Sequence, residues 1–181
     1  MSIFNYYTSG QVEQIVKSLT ILVDTREKEN GHILEYFNKK KVRYQEKALR
    51  SGDYTVLLPS NEALGFPLPQ TLNKAIDGGL FIERKNSLEE LSGNLGRFRD
   101  RFEAEWERMK DAEKHLIIES GSWEDIIRGN YDSKVTPKAY YNSLLTFQSR
   151  YGLHIHFVRP LVTGALIRGI CENKVKEVFQ L

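Results

Sequence analysis

Residues 80–90 read LFIERKNSLEE, and this stretch decides the fold. The apolar run at 80–82 favours a buried strand that leads directly into three charged residues. Ser87 and Glu90 then match the S-x-x-E capping box, which predicts an α-helix with Ser87 as its N-cap. A buried strand that passes through a short turn into a helix is typical of α/β proteins.

The rest of the chain continues this alternation of strands and helices. Further strands are predicted at 20–23, 42–47, 54–58, 116–118 and 154–158, and further helices at 32–41, 97–112, 137–150 and 162–179. We therefore predict a three-layer α/β fold with a central mixed β-sheet flanked by helices. The expected organisation is an N-terminal arm or helix at 1–19, a main domain at 20–160 with an inserted loop at 59–79, and a C-terminal amphipathic helix at 161–181.

The composition is that of one globular domain. The 181 residues carry 26 Lys and Arg against 24 Asp and Glu, so the net charge of +2 gives no general attraction for polyanions. No apolar run approaches the ~20 residues that a membrane span needs, and the first ten residues lack a secretory signal pattern. With Cys171 as the one cysteine, we expect an intracellular protein, cytoplasmic or nucleoid-associated, without disulfides.

Three carboxylates fall at the ends of predicted strands: Asp24, Asp53 and Glu83. Carboxylates gathered at such ends repel one another unless a positive charge lies between them, and an all-oxygen donor set suits Mg²⁺ or Mn²⁺. Because side chains two apart in a strand share a face, Lys85 should place its ammonium beside Glu83, while Arg84 points to the opposite face. This combination suits polarisation of a phosphodiester and activation of an attacking water.

The same residues carry a resemblance to a known family. The order V-D-T-R-E at 23–27, G-D at 52–53 and I-E-R-K-N-S-L-E at 82–89 resembles the nuclease domain of the XPF-type structure-specific endonucleases. That family has the signature G-D, a spacer and E-R-K-x-x-x-D on a restriction-endonuclease-like fold. The similarity extends over roughly residues 20–160.

The resemblance implies a Mg²⁺- or Mn²⁺-dependent endonuclease that cuts DNA at branched or flap-like structures, in DNA repair or recombination. It implies that Asp24, Asp53 and Glu83 bind the metal and that Lys85 is catalytic. Supporting roles would fall to Arg26, Glu27, Arg84 and Glu89. Glu89 stands where the family has Asp, and it is one methylene longer.

DNA binding must use surfaces other than the family's C-terminal helix-hairpin-helix modules, since only 21 residues follow Pro160. The basic candidates for phosphate contacts are Lys39, Lys40, Lys41, Arg43, Arg97, Arg99, Arg101, Lys134 and Lys138. The resemblance also implies pairing through the nuclease domain, so a homodimer or a partner protein would supply further grip. The apolar face of the last helix, with Val162, Leu166 and Ile170, is a candidate for that contact.

Two alternatives stay open. One is a non-cleaving DNA-junction binder or partner subunit, and the other is a metal-dependent nuclease acting on RNA or plain duplex. Several residues also have simple structural interpretations: the Arg97–Arg101 run as a solvated helix face, Glu90 as a cap, and the pair His154 and His156 as packing rather than zinc binding.

Overall fold

The computed structural model describes residues 7–65, 69–72 and 79–180. In these residues the strands are β1 Thr20–Val23, β2 Tyr44–Glu46, β3 Tyr54–Leu58, β4 Gln70–Thr71, β5 Leu80–Lys85, β6 Glu113–Glu119 and β7 Leu153–Val158. The helices are α1 Ser9–Ser18, α2 Gly31–Lys39, α3 Leu88–Leu95, α4 Arg99–Arg108, α5 Trp123–Arg128, α6 Pro137–Tyr151 and α7 Pro160–Gln180. Every predicted strand and helix is present, with β2 and α4 shorter than their patterns indicated.

The strands form one mixed sheet in the order β2-β1-β3-β5-β6-β7, with the short β4 paired to β3. Strands β1, β2, β5, β6 and β7 run in one direction, and β3 runs antiparallel between β1 and β5. The end of β1, the start of β3 and the end of β5 therefore meet at the same edge of the sheet.

The alternation of side chains along β5 assigns each residue to one of two helical layers. Leu80 and Ile82 belong to the core beneath α1, α2 and α7, whereas Phe81 belongs to the core beneath α3, α4, α5 and α6. Glu83 and Lys85 continue the row of Phe81, and Arg84 continues the row of Ile82. The predicted three-layer architecture is confirmed, and the strand delivers opposite charges to opposite faces.

The ends of the chain pack on the first of these cores. Thr8 caps α1, which buries Val12 and Ile15, so the described part of the 1–19 segment is a docked helix rather than a free arm. In α7, Ile167, Ile170 and Cys171 are buried in the chain's own core. The predicted partner-binding face is thus largely covered, and Leu161 and Val162 are its exposed residues.

The predicted loop at 59–79 contains a 3-10 turn at Glu62–Leu64 and the strand β4, while 66–68 and 73–78 lie outside the described residues. In the described residues, no helix has the length and apolar character required to cross a membrane.

Candidate active site

Asp53 and Glu83 lie together at the edge of the sheet where β3 begins and β5 ends. The backbone of Asp53 is held on both sides, because its N–H donates to the Ile82 carbonyl at 2.9 Å and its carbonyl accepts from the Asp24 N–H at 2.8 Å. Its Oδ2 accepts the Arg84 N–H at 2.7 Å. Desolvation and the negative charge of Glu83 raise the pKa of Asp53 well above its usual range.

The glycine before Asp53 is required by the local backbone. Gly52 has φ +72°, in the left-handed region that L side chains rarely adopt. A Cβ at this position would lie 2.7 Å from the Phe81 ring and 3.1 Å from the Ile82 carbonyl. The G-D motif therefore has a physical basis: only glycine lets the chain turn closely over β5 and present Asp53 beside Glu83.

Lys85 is the positive charge of this site. Its Nζ lies 2.5 Å from Glu83 Oε1 and 3.5 Å from Glu90 Oε1, and it lies 5.8 Å from the centre of the Phe102 ring. Burial opposes the charged form, but Glu83 and Asp53 outweigh it and raise the pKa of Lys85. Lys85 is therefore an ammonium at neutral pH, suited to stabilising negative charge and not to accepting a proton.

Arg84 lies on the opposite face of β5 in a buried network. Its guanidinium, 1% exposed, donates to Glu27 Oε1 at 2.5 Å and to Glu119 Oε2 at 2.6 Å. Glu119 also contacts His32 Nε2 at 2.7 Å, which ties β6 to α2. Arg84 and Glu27 thus act on the site by fixing the strand that carries Glu83 and the backbone N–H that binds Asp53.

Asp24 is engaged with its own neighbours rather than with Glu83. Its two carboxylate oxygens accept four hydrogen bonds, three from the backbone and guanidinium of Arg26 and one from the Leu49 N–H at 3.0 Å. Burial raises the pKa of Asp24, but these bonds outweigh it and hold the pKa below the usual value. The metal-binding role inferred for Asp24 therefore stays a prediction, and the structure gives it a second task, which is to orient Arg26.

The acidic residue at the variable end of the E-R-K-x-x-x-D signature faces away from Lys85. Glu89 is exposed, and its Oε1 accepts the Asp132 N–H at 3.0 Å. Glu90 instead lies beside Lys85 and accepts the Asn86 N–H at 2.8 Å through its other oxygen. The Ser87 hydroxyl caps the Glu90 N–H, so the predicted N-cap is present, with the reciprocal bond shifted by one residue to Asn86.

The predicted DNA-contacting residues divide into two groups. Lys39–Lys41 and Arg43 lie at the end of α2 and the approach to β2, at the opposite edge of the sheet from Glu83, since the Arg43 carbonyl accepts from the Ile21 N–H in β1. These four residues are therefore far from the candidate site.

The second group lies on the helical layer that covers Glu83 and Lys85. Arg97 stacks on the half-exposed ring of Phe98, and Arg99 is paired with Glu103 and placed over the Phe147 ring. Arg101 is exposed on α4, and Lys134 and Lys138 are exposed on either side of the N-cap of α6. This group remains the candidate basic surface.

A polar cleft of about 530 Å³ adjoins the site. Its lining residues are Arg26, Glu27, Lys28, Glu29, Arg84, Asn86, Ser87 and Glu90. The donors beside it fit a hard divalent cation in type and charge, because Asp53 and Glu83 are desolvated oxygen ligands with Lys85 as the adjoining cation. In the described residues, no three His, Cys, Asp or Glu side chains already stand in the arrangement of a metal site, so the ligand set is not preassembled.

Sequence reasoning missed one residue at this site, Glu105 of α4. Its carboxylate accepts the Gly52 N–H at 3.4 Å, and its charge contributes to the raised pKa of Glu83. The available signal was its helical phase: Glu105 is three residues after Phe102 and borders the apolar stripe of α4.

Comparison with solved structures defines the class of fold. XPF from Aeropyrum pernix superposes with a TM-score of 0.58 at 19% identity, over 85% of this chain and 60% of that one. XPF from Aeropyrum pernix in complex with DNA gives 0.58 at 21%, over 87% and 66%. The fold is thus the restriction-endonuclease-like fold of the XPF nuclease domain, as predicted, and this chain spans less than two thirds of either relative.

The sequence matches the model of the ERCC4 domain over residues 23–165, and the chain belongs to that family. The match covers all three segments on which the resemblance was based. No curated protein matches the sequence.

Proposed function

We propose that this chain is a Mg²⁺- or Mn²⁺-dependent DNA endonuclease that acts on branched or flap-like DNA. The observation that carries the proposal is the juxtaposition of Asp53, Glu83 and Lys85 at one edge of the sheet. Family membership supports the reaction class, and the DNA complex of the Aeropyrum pernix relative supports DNA as the substrate.

Asp53 and Glu83 would hold the cation, which supplies polarisation of the phosphodiester and a more acidic bound water. Lys85 contributes a permanent positive charge beside Glu83, where the extra negative charge of an attacked phosphodiester is stabilised. Arg84 keeps β5 in register with Asp53 through its backbone N–H and its buried ion pairs. Arg26, held by Asp24 at the rim of the cleft, is placed to bind a neighbouring phosphate.

The basic surface formed by Arg97, Arg101, Lys134 and Lys138 would track the DNA backbone away from the site. A homodimer or a partner protein would add to this grip, and size-exclusion chromatography with light scattering, with and without DNA, measures that directly.

Cleavage of labelled flap, fork, linear duplex and RNA substrates tests the proposed function. Wild type is expected to cut flap or fork DNA in the presence of Mg²⁺, and Asp53→Asn to bind the same DNA without cutting it. Asp100→Asn, an exposed acid on α4, is the matched control and should cut normally. DNA binding without any cleavage by wild type would instead identify a junction-binding subunit, and preference for RNA or plain duplex would identify the other alternative.

A further inference from the structure

Helix α4 carries Glu105, an acid that lies outside the family signature. The helix is anchored by Trp106, fully buried, whose ring packs edge-on against Phe81 of β5 at 5.0 Å. Phe102, one turn earlier, packs edge-on against the same Trp106 ring at 5.3 Å and contacts Lys85. These aromatic contacts fix the rotation of α4 over the end of β5, and Glu105 precedes the anchor by one residue.

This rotation delivers the Glu105 carboxylate to the candidate site. One oxygen accepts the N–H of Gly52, the residue directly before Asp53, at 3.4 Å. Among the negative groups around Glu83, Glu105 exerts the largest repulsion, ahead of Glu90. Its charge also acts on the Arg26 guanidinium and helps to raise the pKa of that group.

Glu105 occupies a role that Glu89 leaves empty. The family signature ends in an acid one helical turn after the lysine, yet Glu89 here is exposed and bound to the Asp132 backbone. A carboxylate is therefore missing from the side of the site that faces α3. The carboxylate of α4 restores an all-oxygen set of the kind that Mg²⁺ and Mn²⁺ take.

We propose that Glu105 joins Asp53 and Glu83 as the third acid of the divalent-cation site, in place of Glu89. This inference rests on the proposed function, which supplies the cation. An uncompensated acid beside Glu83 raises the energy of the site without a cation, and the bound cation relieves that repulsion. Glu105 thus trades stability of the metal-free chain for cation affinity.

Direct Mn²⁺ binding, measured by electron paramagnetic resonance, tests the assignment without relying on turnover. Glu105→Gln keeps the shape and the acceptor for the Gly52 N–H but removes the charge. Glu107→Gln is the matched control, because residue 107 is exposed and lies on the far side of the same helix. We expect Glu105→Gln to weaken Mn²⁺ binding by about 10-fold or more, the size seen when groups around a metal are lost, and Glu107→Gln to leave it unchanged.

Glu89→Gln is the second variant, and it should bind Mn²⁺ as wild type does. Thermal unfolding without metal should show Glu105→Gln no less stable than wild type, which separates loss of a ligand from loss of structure. Wild-type Mn²⁺ affinity in Glu105→Gln, or a large loss in Glu89→Gln, would overturn the assignment while DNA cleavage by wild type still upheld the nuclease. A wild-type chain that neither binds Mn²⁺ nor cleaves DNA would overturn both.

Discussion

Replacing Arg84 by methionine removes a cation from a buried group of acids. The guanidinium lies 2.5 Å from Glu27 Oε1 and 2.6 Å from Glu119 Oε2, and the side chains of Arg84 and Glu119 are 1% and 2% exposed. Methionine fills most of the same volume, so the main change is electrostatic. Breaking a buried ion pair by removing one partner costs about 3–5 kcal/mol, because the remaining charge stays buried without compensation.

For a chain of this size, that loss corresponds to a fall in Tm of about 6–20 °C. Urea and thermal unfolding followed by circular dichroism measure the loss directly. The matched control is Arg128→Met, whose ion pair with Glu124 is 68% and 65% exposed and should be worth at most about 1 kcal/mol. Adding Glu119→Gln to Arg84→Met should recover part of the loss. Equal small effects of Arg84→Met and Arg128→Met would refute the idea that this network fixes β5.

Three further changes probe other parts of the structure. Asp24→Ala should lower the free energy of unfolding by about 2 kcal/mol or more, since it removes the charged acceptor of Arg26, and chemical denaturation measures this. Gly52→Ala should destabilise by at least about 1–2 kcal/mol through its positive φ and should also abolish cleavage; normal stability together with normal cleavage would contradict the strain argument. Burial and neighbouring imidazoles lower the pKa of His156 to about 4, below the unfolded value of about 6.5. The unfolded chain therefore binds the proton first, stability should fall as the pH drops from about 6.5 towards 4, and His156→Gln should flatten that fall in pH-dependent unfolding curves.

The sequence was sufficient to predict the fold because its local signals agreed with one another. Strands β1 and β3 were predicted at their observed ends, and Ser87, Ser122 and Thr136 cap the helices that follow them. The period of two in β5 correctly separated Glu83 and Lys85 from Arg84. These features depend on neighbours within a few residues, which a sequence displays directly.

The composition of the site depended on contacts that no local pattern displays. The four hydrogen bonds to Asp24 and the orientation of Glu89 towards Asp132 arise from loops that meet only in the folded chain. Glu105 reaches Gly52 across 53 residues of sequence because Trp106 packs on β5. The distant placement of Lys39–Lys41 likewise follows from the direction of α2, which sequence charge alone does not reveal.

The central claim is that Asp53 and Glu83 form a cation-dependent active site for DNA cleavage. Single-turnover cleavage of a flap substrate in Mg²⁺ by wild type and by Glu83→Gln, with DNA affinity measured in parallel in Ca²⁺, tests it most directly. We expect the variant to lose about 100-fold or more in rate while its DNA affinity stays within about threefold, because the lost group acts on the charged transition state. Mg²⁺-dependent cleavage by Glu83→Gln at the wild-type rate would contradict the claim.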